Sequence, residues 1–374
     1  MKKVLFVATV ASHIKSFHLP YLRLLKENGY KTYVAANWNI QNENKLEYVD
    51  EFIQLPIRRC PYSFHNLKAI KQLKKIIDQE QFDIIHCHTP MGSVVARLAT
   101  KKTKKNGTRV IYTSHGFHFF KGAPLKNWLL YYPVEWYLAK YTDTIITINK
   151  EDYNRAKNKF SKRCKDIQYV SGIGIDPKKF DIKISDKEKN ELRKSLGLKQ
   201  DDFILSCIAR LDKNKNQGLL IECMEQLVKE HDNIHLLLAG SDELNGYYQN
   251  IVKEKELSNN IHFLGNRNDI PKILKITDVV ISTSKREGFG LNLVEALISE
   301  VPIIGTNNRG HREIIENGIN GFIIENNIDE LKEKINILYS DNKEYNKIKS
   351  NCYNSSKKFY IDNSLEITKN IYNI

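Results

Sequence analysis

The chain has 374 residues, 41% of them apolar and 27% charged, with a formal net charge of +14. That length suits two domains rather than one, and that apolar fraction excludes a disordered chain. No run of about 18 apolar residues occurs, which excludes a spanning helix; the most apolar stretch, residues 128–141, is interrupted by Pro133, Glu135 and Lys140.

The N-terminal residues MKKVLFVATVASH read as a strand followed by a loop, without the apolar core of a signal peptide. The first strand is expected over 4–8 and a helix over 17–28. Strands follow at 32–36, 83–88, 109–115 and 144–148, with a helix over 66–80 before the second of them. The rhythm repeats at 203–209, 234–240, 261–265, 278–283, 301–305 and 321–324, with helices near 216–230 and 246–256 and after each later strand. Continuous apolar runs separated by helices predict parallel sheets covered on both faces. Two such series predict two doubly wound α/β domains. The Gly- and Pro-containing stretch 171–180 is the expected linker, and 355–374 reads as a helix beyond the second sheet.

Charge divides unevenly. Residues 1–180 hold 31 Lys and Arg against 14 Asp and Glu, a net of +17, and residues 181–374 hold 27 against 30. A basic first half suits nucleic acid, an anionic membrane or a phosphorylated substrate; its aromatic residues form no recognised nucleic-acid motif, so no nucleic-acid partner is expected. The six cysteines include no Cys-x-x-Cys pair and fit free thiols in a reducing compartment.

In doubly wound sheets, ligands bind beyond the carboxyl ends of the strands. The stretch SKREGFGLNLVE (284–295) lies there and opens a helix near Gly290 or Leu291. Gly288 and Gly290 let anionic oxygens approach the backbone N–H groups. Carboxylates are poor phosphate ligands but good acceptors for hydroxyls. Glu287 and Glu295 therefore point to hydroxyl groups on either side of a phosphate, the outline of a sugar nucleotide. Glu287 taken alone reads as a first-turn charge favouring the helix dipole.

A second loop, ARLDKNKNQ (209–217), holds Arg210 and Lys215. Two cations at a strand end can stabilise the charge growing on a departing nucleoside diphosphate, or form a solvated basic loop. His115 and His118 follow another strand, and His13, Lys15 and His18 follow the first. His86 and His88 share one face of a strand, but no further Cys/His cluster with ligand spacing accompanies them, so no metal centre is expected. A Gly-x-Gly-x-x-Gly fingerprint is missing, which argues against a dinucleotide. No Asp-x-Asp pair is present to chelate a metal-bound nucleotide sugar.

Several segments together resemble the retaining GT-B glycosyltransferases of family 4, in particular those of bacterial exopolysaccharide and capsule synthesis. They are ATVASHIKSFHLPY (8–21), DIIHCHTPMG (83–92), the block 113–153 beginning TSHGFHFFKGAP, ARLDKNKNQ, SKREGFGLNLVEA (284–296) and NNRGHREIIENGINGF (307–322). The resemblance implies two Rossmann-like domains facing across a cleft: an acceptor-binding domain over 1–172 and a nucleotide-sugar-binding domain over 173–355. The last helix, about 356–374, would cross back to the first domain. Glu287 would meet donor-sugar hydroxyls, and the N–H groups of Gly288, Phe289 and Gly290 would help hold that sugar. Leu291 would offer its N–H to phosphate, Glu295 would bind the ribose, and Arg210 and Lys215 would grip the diphosphate. Gly265, Asn266 and Arg267 would frame the base, and His115 would sit near the transferred bond. His13, Lys15 and His118 are the acceptor-side candidates. The glycine pair that many relatives carry in the first strand-to-helix loop is missing from TVASHIKS (9–16).

The resemblance further implies a hexosyltransferase working without metal or other cofactor. It would move a hexose or N-acetylhexosamine-type sugar from a nucleotide donor, UDP by preference, to a glycan on a polyprenyl pyrophosphate, with retention. Basic and aromatic residues in 121–141 suit an anionic membrane surface, so the expected location is cytoplasmic, at the inner face of the membrane. The alternatives are a UDP-sugar epimerase of the same fold, or a module that only binds a sugar nucleotide or anion.

Overall fold

The computed structural model describes residues 1–40, 45–101 and 107–374. Two compact units divide the chain: Met1–Ile173 together with Ile361–Ile374, and Gly174–Tyr360. Among the described residues, no helix is long and apolar enough to cross a membrane.

The first unit carries one parallel sheet of β1 (Lys3–Val10), β2 (Lys31–Asn37), β3 (Glu51–Gln54), β4 (Ile84–His88), β5 (Arg109–Ser114), β6 (Thr144–Thr147) and β7 (Asp166–Tyr169). Their order is β3-β2-β1-β4-β5-β6-β7. Helices α1 (Ala11–Phe17), α2 (Leu19–Glu27), α3 (Phe64–Glu80), α4 (Pro90–Ala99), α5 (Leu125–Leu138) and α6 (Lys150–Phe160) flank it. Both faces of the sheet are buried, and the alternation of a strand shows it. Leu5 and Val7 of β1 enter a core with Leu73, Val95 and Phe119, while Val4, Phe6 and Ala8 enter another with Ile14 and Leu22.

The second unit repeats the plan with β8 (Phe203–Ile208), β9 (Ile234–Ala239), β10 (Ile261–Gly265), β11 (Val279–Ser282), β12 (Ile303–Thr306) and β13 (Gly321–Ile324). Here the order is β10-β9-β8-β11-β12-β13, again parallel. Its helices are α7 (Asp186–Ser195), α8 (Gln217–Leu227), α9 (Tyr247–Glu254), α10 (Ile270–Lys275), α11 (Leu291–Ile298), α12 (His311–Ile314), α13 (Ile328–Ser340) and α14 (Asn342–Ser356). The final helix, α15 (Ile361–Tyr372), belongs to the first unit. It buries Ser364, Thr368, Ile371 and Tyr372, one helical face, against Val4, Phe6, Ile146 and their neighbours.

Each sheet reverses its strand order once, between β1 and β4 in the first and between β8 and β11 in the second. Such switch points open a crevice beyond the strand ends.

Two expectations need correction. The stretch TVASHIKS is largely helical rather than a loop: Ala11 and Ile14, three apart, are buried on one face of α1. His13 and Lys15 therefore ride on a helix, and His18 sits at the α1–α2 junction. Strands β3 and β7, which the apolar pattern did not suggest, close the two edges of the first sheet.

Candidate functional site

In the second unit, β8 and β11 are neighbours, so the loops 209–216 and 283–290 leave the sheet side by side. Asp212 Oδ1 accepts from the N–H groups of Asn214 and Lys215, both at 2.8 Å, and folds the first loop into a turn. Thr283 Oγ1 donates to the carbonyls of Lys215 and Asn216 at 2.9 and 3.0 Å. The Lys285 N–H donates to Asn214 O at 2.8 Å, so the two loops are stitched together. Across that seam, Lys215 Nζ forms a mostly buried ion pair with Glu287 Oε1. Arg210 remains outward, its side chain more than half exposed and only 3.5 Å from Asp212.

Gly290 caps α11 with a φ of +105°, a conformation open to glycine but strained for other residues. Leu291 then begins the helix, with no intrahelical acceptor for its N–H. Glu295 is one turn further. Burial pushes its carboxyl up to about 7, against the opposing pull of Lys179. Among the described residues, that carboxyl has no hydrogen-bond or ion-pair partner. Gly265 ends β10 with a φ of +61°, and after Asn266 the Arg267 guanidinium makes two hydrogen bonds to Asp269, at 2.8 and 2.6 Å. This trio lies at the carboxyl end of the edge strand β10, with β9 between that strand and β8.

A third loop, after β12, was not singled out residue by residue in the sequence. Asn308 donates to Ser284 O at 2.9 Å and accepts from the N–H groups of Gly310 and His311. Arg309 Nε donates to Glu287 O at 3.4 Å. A Cβ on Gly310 would fall 2.6 Å from Phe289 O, so glycine lets this loop press against the EGFG turn. His311 Nδ1 lies 2.8 Å from Thr306 O and 3.0 Å from Asn308 Nδ2. Its Nε2 is buried without a hydrogen-bond partner, and burial pushes its pKa down to about 4. The sequence signal for these residues was their place beyond a strand end, the same signal that marked the other two loops.

In the first unit, five histidines from four places in the chain converge: His13 of α1, His18 at the α1–α2 junction, His86 and His88 of β4, and His115 beyond β5. The Nε2 of His13 lies 3.3 Å from the Nε2 of both His115 and His18. His18 stacks on His88 with ring centroids 3.8 Å apart. His86 is held by Tyr372 Oη at 2.5 Å and Thr113 Oγ1 at 2.7 Å. Burial pushes His13 down to about 4 and holds His18, His88 and His115 well below the usual imidazole value, so the cluster is uncharged near neutral pH.

Beside this cluster is a cavity of about 510 Å³ lined by His13, Ser12, Arg59, Met91, His118 and Tyr131, among others. Thr89, at its wall, adopts a φ of +63°, rare for a β-branched residue. Its Oγ1 accepts from the Thr9 N–H at 3.0 Å, tying the ends of β1 and β4 together. Lys15 is exposed and takes no part in the lining.

Helix α5 behaves as neither a plain core helix nor a plain surface one. Trp128, Tyr131 and Tyr132 pack on the core, and Glu135 is buried against Arg97. Leu125, Leu129, Leu130, Val134 and Trp136 are exposed, Leu125 and Leu129 by more than 70%. Arg163 stacks over the Trp136 ring.

Comparison with known proteins adds to this geometry. The family model described as glycosyl transferases group 1 matches residues 188–355, and the model described as glycosyl transferase 4-like matches residues 3–149. A Bacillus subtilis protein named as a glycosyltransferase, EpsD, is 47% identical over 324 residues, 87% of this chain and 84% of its own length. The chain belongs to the group 1 glycosyltransferases. Among other members, an Escherichia coli enzyme named UDP-Gal:alpha-D-GlcNAc-diphosphoundecaprenol alpha-1,3-galactosyltransferase is 28% identical over 82% of this chain and 77% of its own. The Anabaena protein HepE, solved in complex with UDP, superposes over the whole of both chains with a TM-score of 0.76 at 20% identity. That likeness bears on the fold, which is the GT-B arrangement of two parallel-sheet, Rossmann-like domains. Membership of a transferase family also sets aside the epimerase alternative.

Proposed function

We propose that this glycosyltransferase moves a hexose or N-acetylhexosamine-type sugar from a UDP-linked donor to a glycan carried on a polyprenyl pyrophosphate, with retention at the anomeric carbon, in exopolysaccharide or capsule synthesis. The observation that carries the donor half is the meeting of the β8 and β11 loops, with Lys215 on Glu287, the α11 N-terminus and the partnerless carboxyl of Glu295. Lys215, Arg210 and the Leu291 N–H bind the diphosphate, Glu295 accepts from the ribose hydroxyls, and Glu287 accepts from the sugar with the Gly288, Phe289 and Gly290 backbone. Gly265, Asn266 and Arg267 frame the base.

In the reaction, the bond from the anomeric carbon to the diphosphate oxygen breaks, and an acceptor hydroxyl bonds to that carbon on the same face. Its proton passes to the leaving phosphate. Arg210 and Lys215 stabilise the charge that accumulates there, so this step needs no metal at the diphosphate. From the first unit, we assign His115 to the transfer step. If Glu287 were a covalent nucleophile instead, a glycosylated Glu287 peptide would be trapped by mass spectrometry.

For the acceptor, support comes from the cavity beside His13 and His118 and from the E. coli relative, whose name gives a UDP-sugar donor and a diphosphoundecaprenol acceptor. The exposed apolar residues of α5, beside Lys140 and Arg163, suit the cytoplasmic face of an anionic membrane.

A panel of UDP-, GDP- and ADP-sugars, scored by thermal shift and by the anomeric configuration of the product, tests this reading. Stabilisation by UDP-sugars with a retained anomer is expected. Stabilisation by another nucleotide only, or an inverted product, would overturn it. Sedimentation with anionic vesicles at low salt tests the membrane contact, which fails if the protein stays in the supernatant.

A further inference from the structure

We propose that His13, His18 and His115 form a binding site for a divalent transition-metal ion of the zinc class, with a fourth coordination position open to an oxygen ligand. The ligand atoms of the three side chains lie within 4.8 Å of one another. Two of the three separations are 3.3 Å, both measured between Nε2 atoms and both centred on His13. Zinc binds imidazole nitrogen at about 2.0–2.1 Å, and a tetrahedron of that radius has edges of about 3.3–3.4 Å. Two edges therefore already match, and the third, within 4.8 Å, closes by rotation of the His18 or His115 ring.

As a chain of hydrogen bonds the same arrangement is poor. A neutral ring nitrogen carries either one proton or one lone pair, so His13 Nε2 makes a full bond to one neighbour and leaves the other contact unsatisfied. Three lone pairs directed at one cation remove that conflict. The backbone positions that carry the three residues are also anchored. His13 and His18 come from one helical corner, His115 from the end of β5, and His88 is stacked on His18 with both of its own nitrogens buried and unpartnered. Three histidines with an open fourth position is the ligand set of sites that bind a water or a substrate oxygen. His13 also lines the 510 Å³ cavity, through which such a ligand would arrive.

The site lies in the first unit, whereas the groups assigned to the donor diphosphate lie in the second, and it shares His115 with the transfer step proposed above. The test uses the full chain, free of any affinity tag and stripped with a chelator. Cobalt(II) is titrated with calorimetry and visible absorption, then displaced by zinc. One ion per chain is expected, with the intense visible bands of tetrahedral cobalt. His13→Ala and His115→Ala should each weaken binding by more than about 100-fold, beyond the loss of an outer-shell partner; the exposed His65→Ala should bind as wild type. Circular dichroism checks that the variants fold, and His13→Gln serves if His13→Ala does not. A wild type that binds no cobalt, or folded variants that bind it unchanged, overturns the proposal. No sugar donor is present, so failure here and failure of sugar transfer are separate outcomes.

Discussion

Glu295 is a carboxylic acid held where its charge is disfavoured. Its pKa in the folded chain, about 7, lies above the ordinary 4.5. The folded protein therefore holds a proton between those values that the unfolded chain has lost. Stability falls as pH rises through that window and is level above it, for a total of up to about 3 kcal/mol. Glu295→Gln should remove this slope, so the ligand-free variant should melt higher than wild type at pH 8 and equally at pH 4.5. UDP binding should move the other way. Ribose hydroxyls favour the ionised carboxylate, so wild-type affinity by calorimetry should rise from pH 6 to pH 8, and Glu295→Gln should lose both the affinity and its pH dependence. Glu287 gives a second contrast. In the ligand-free protein it neutralises Lys215. Glu287→Ala should then bind UDP at least as tightly as wild type while transfer falls by roughly 10²–10³-fold, the scale of losing one stabilising group. Weaker UDP binding by this variant would count against the placing of the diphosphate at Lys215.

At the scale of elements, α11 depends on its first turn. Gly290→Ala adds a Cβ at a φ of +105° and 3.3 Å from His311, and should cost roughly 1–2 kcal/mol in a urea melt while weakening nucleotide binding. Helices α4 and α5 are joined by Arg97 and Glu135. Nη1 and Oε2 are 2.8 Å apart, an ion pair rather than a well-aligned hydrogen bond, and the guanidinium also lies 4.1 Å from the centre of the Tyr112 ring. Glu135→Ala leaves a buried guanidinium unpaired and should destabilise the first unit by roughly 3–5 kcal/mol, whereas an Arg97→Met, Glu135→Leu pair should recover most of it. Much of this layer was legible in the sequence. Central strands are buried on both faces and appear as unbroken apolar runs. Edge strands are not: EFIQ of β3 is part-exposed along its length, and DIQY of β7 buries only Ile167, so neither carried a signal. The loops proposed to hold the donor were legible as candidates because glycine and charge stand together at strand ends. The histidine cluster was not, because its members are brought together by sheet order, and a spacing of 102 residues between His13 and His115 has no periodicity to read.

For the whole molecule, the division into units has a residue-level anchor in α15. Removing 361–374 takes Ile371 and Tyr372 from the first unit's core around Val4 and Phe6 and leaves His86 without its Tyr372 partner. Two such side chains account for roughly 5 kcal/mol. In calorimetry, the transition of the first unit should fall sharply while that of the second stays in place; equal loss from both would mean that α15 serves the second unit as well. The same helix sets a timetable for biosynthesis. Residues Gly174–Tyr360, roughly 190 in number, separate the body of the first unit from its closing helix. At about 5–20 residues per second the ribosome needs about 10–40 s to make them. Throughout that interval Val4, Phe6 and Ile146 lack their cover, so the unit begun first is completed last. The nascent chain is most exposed to aggregation, and most in need of a chaperone, while its second unit is being made.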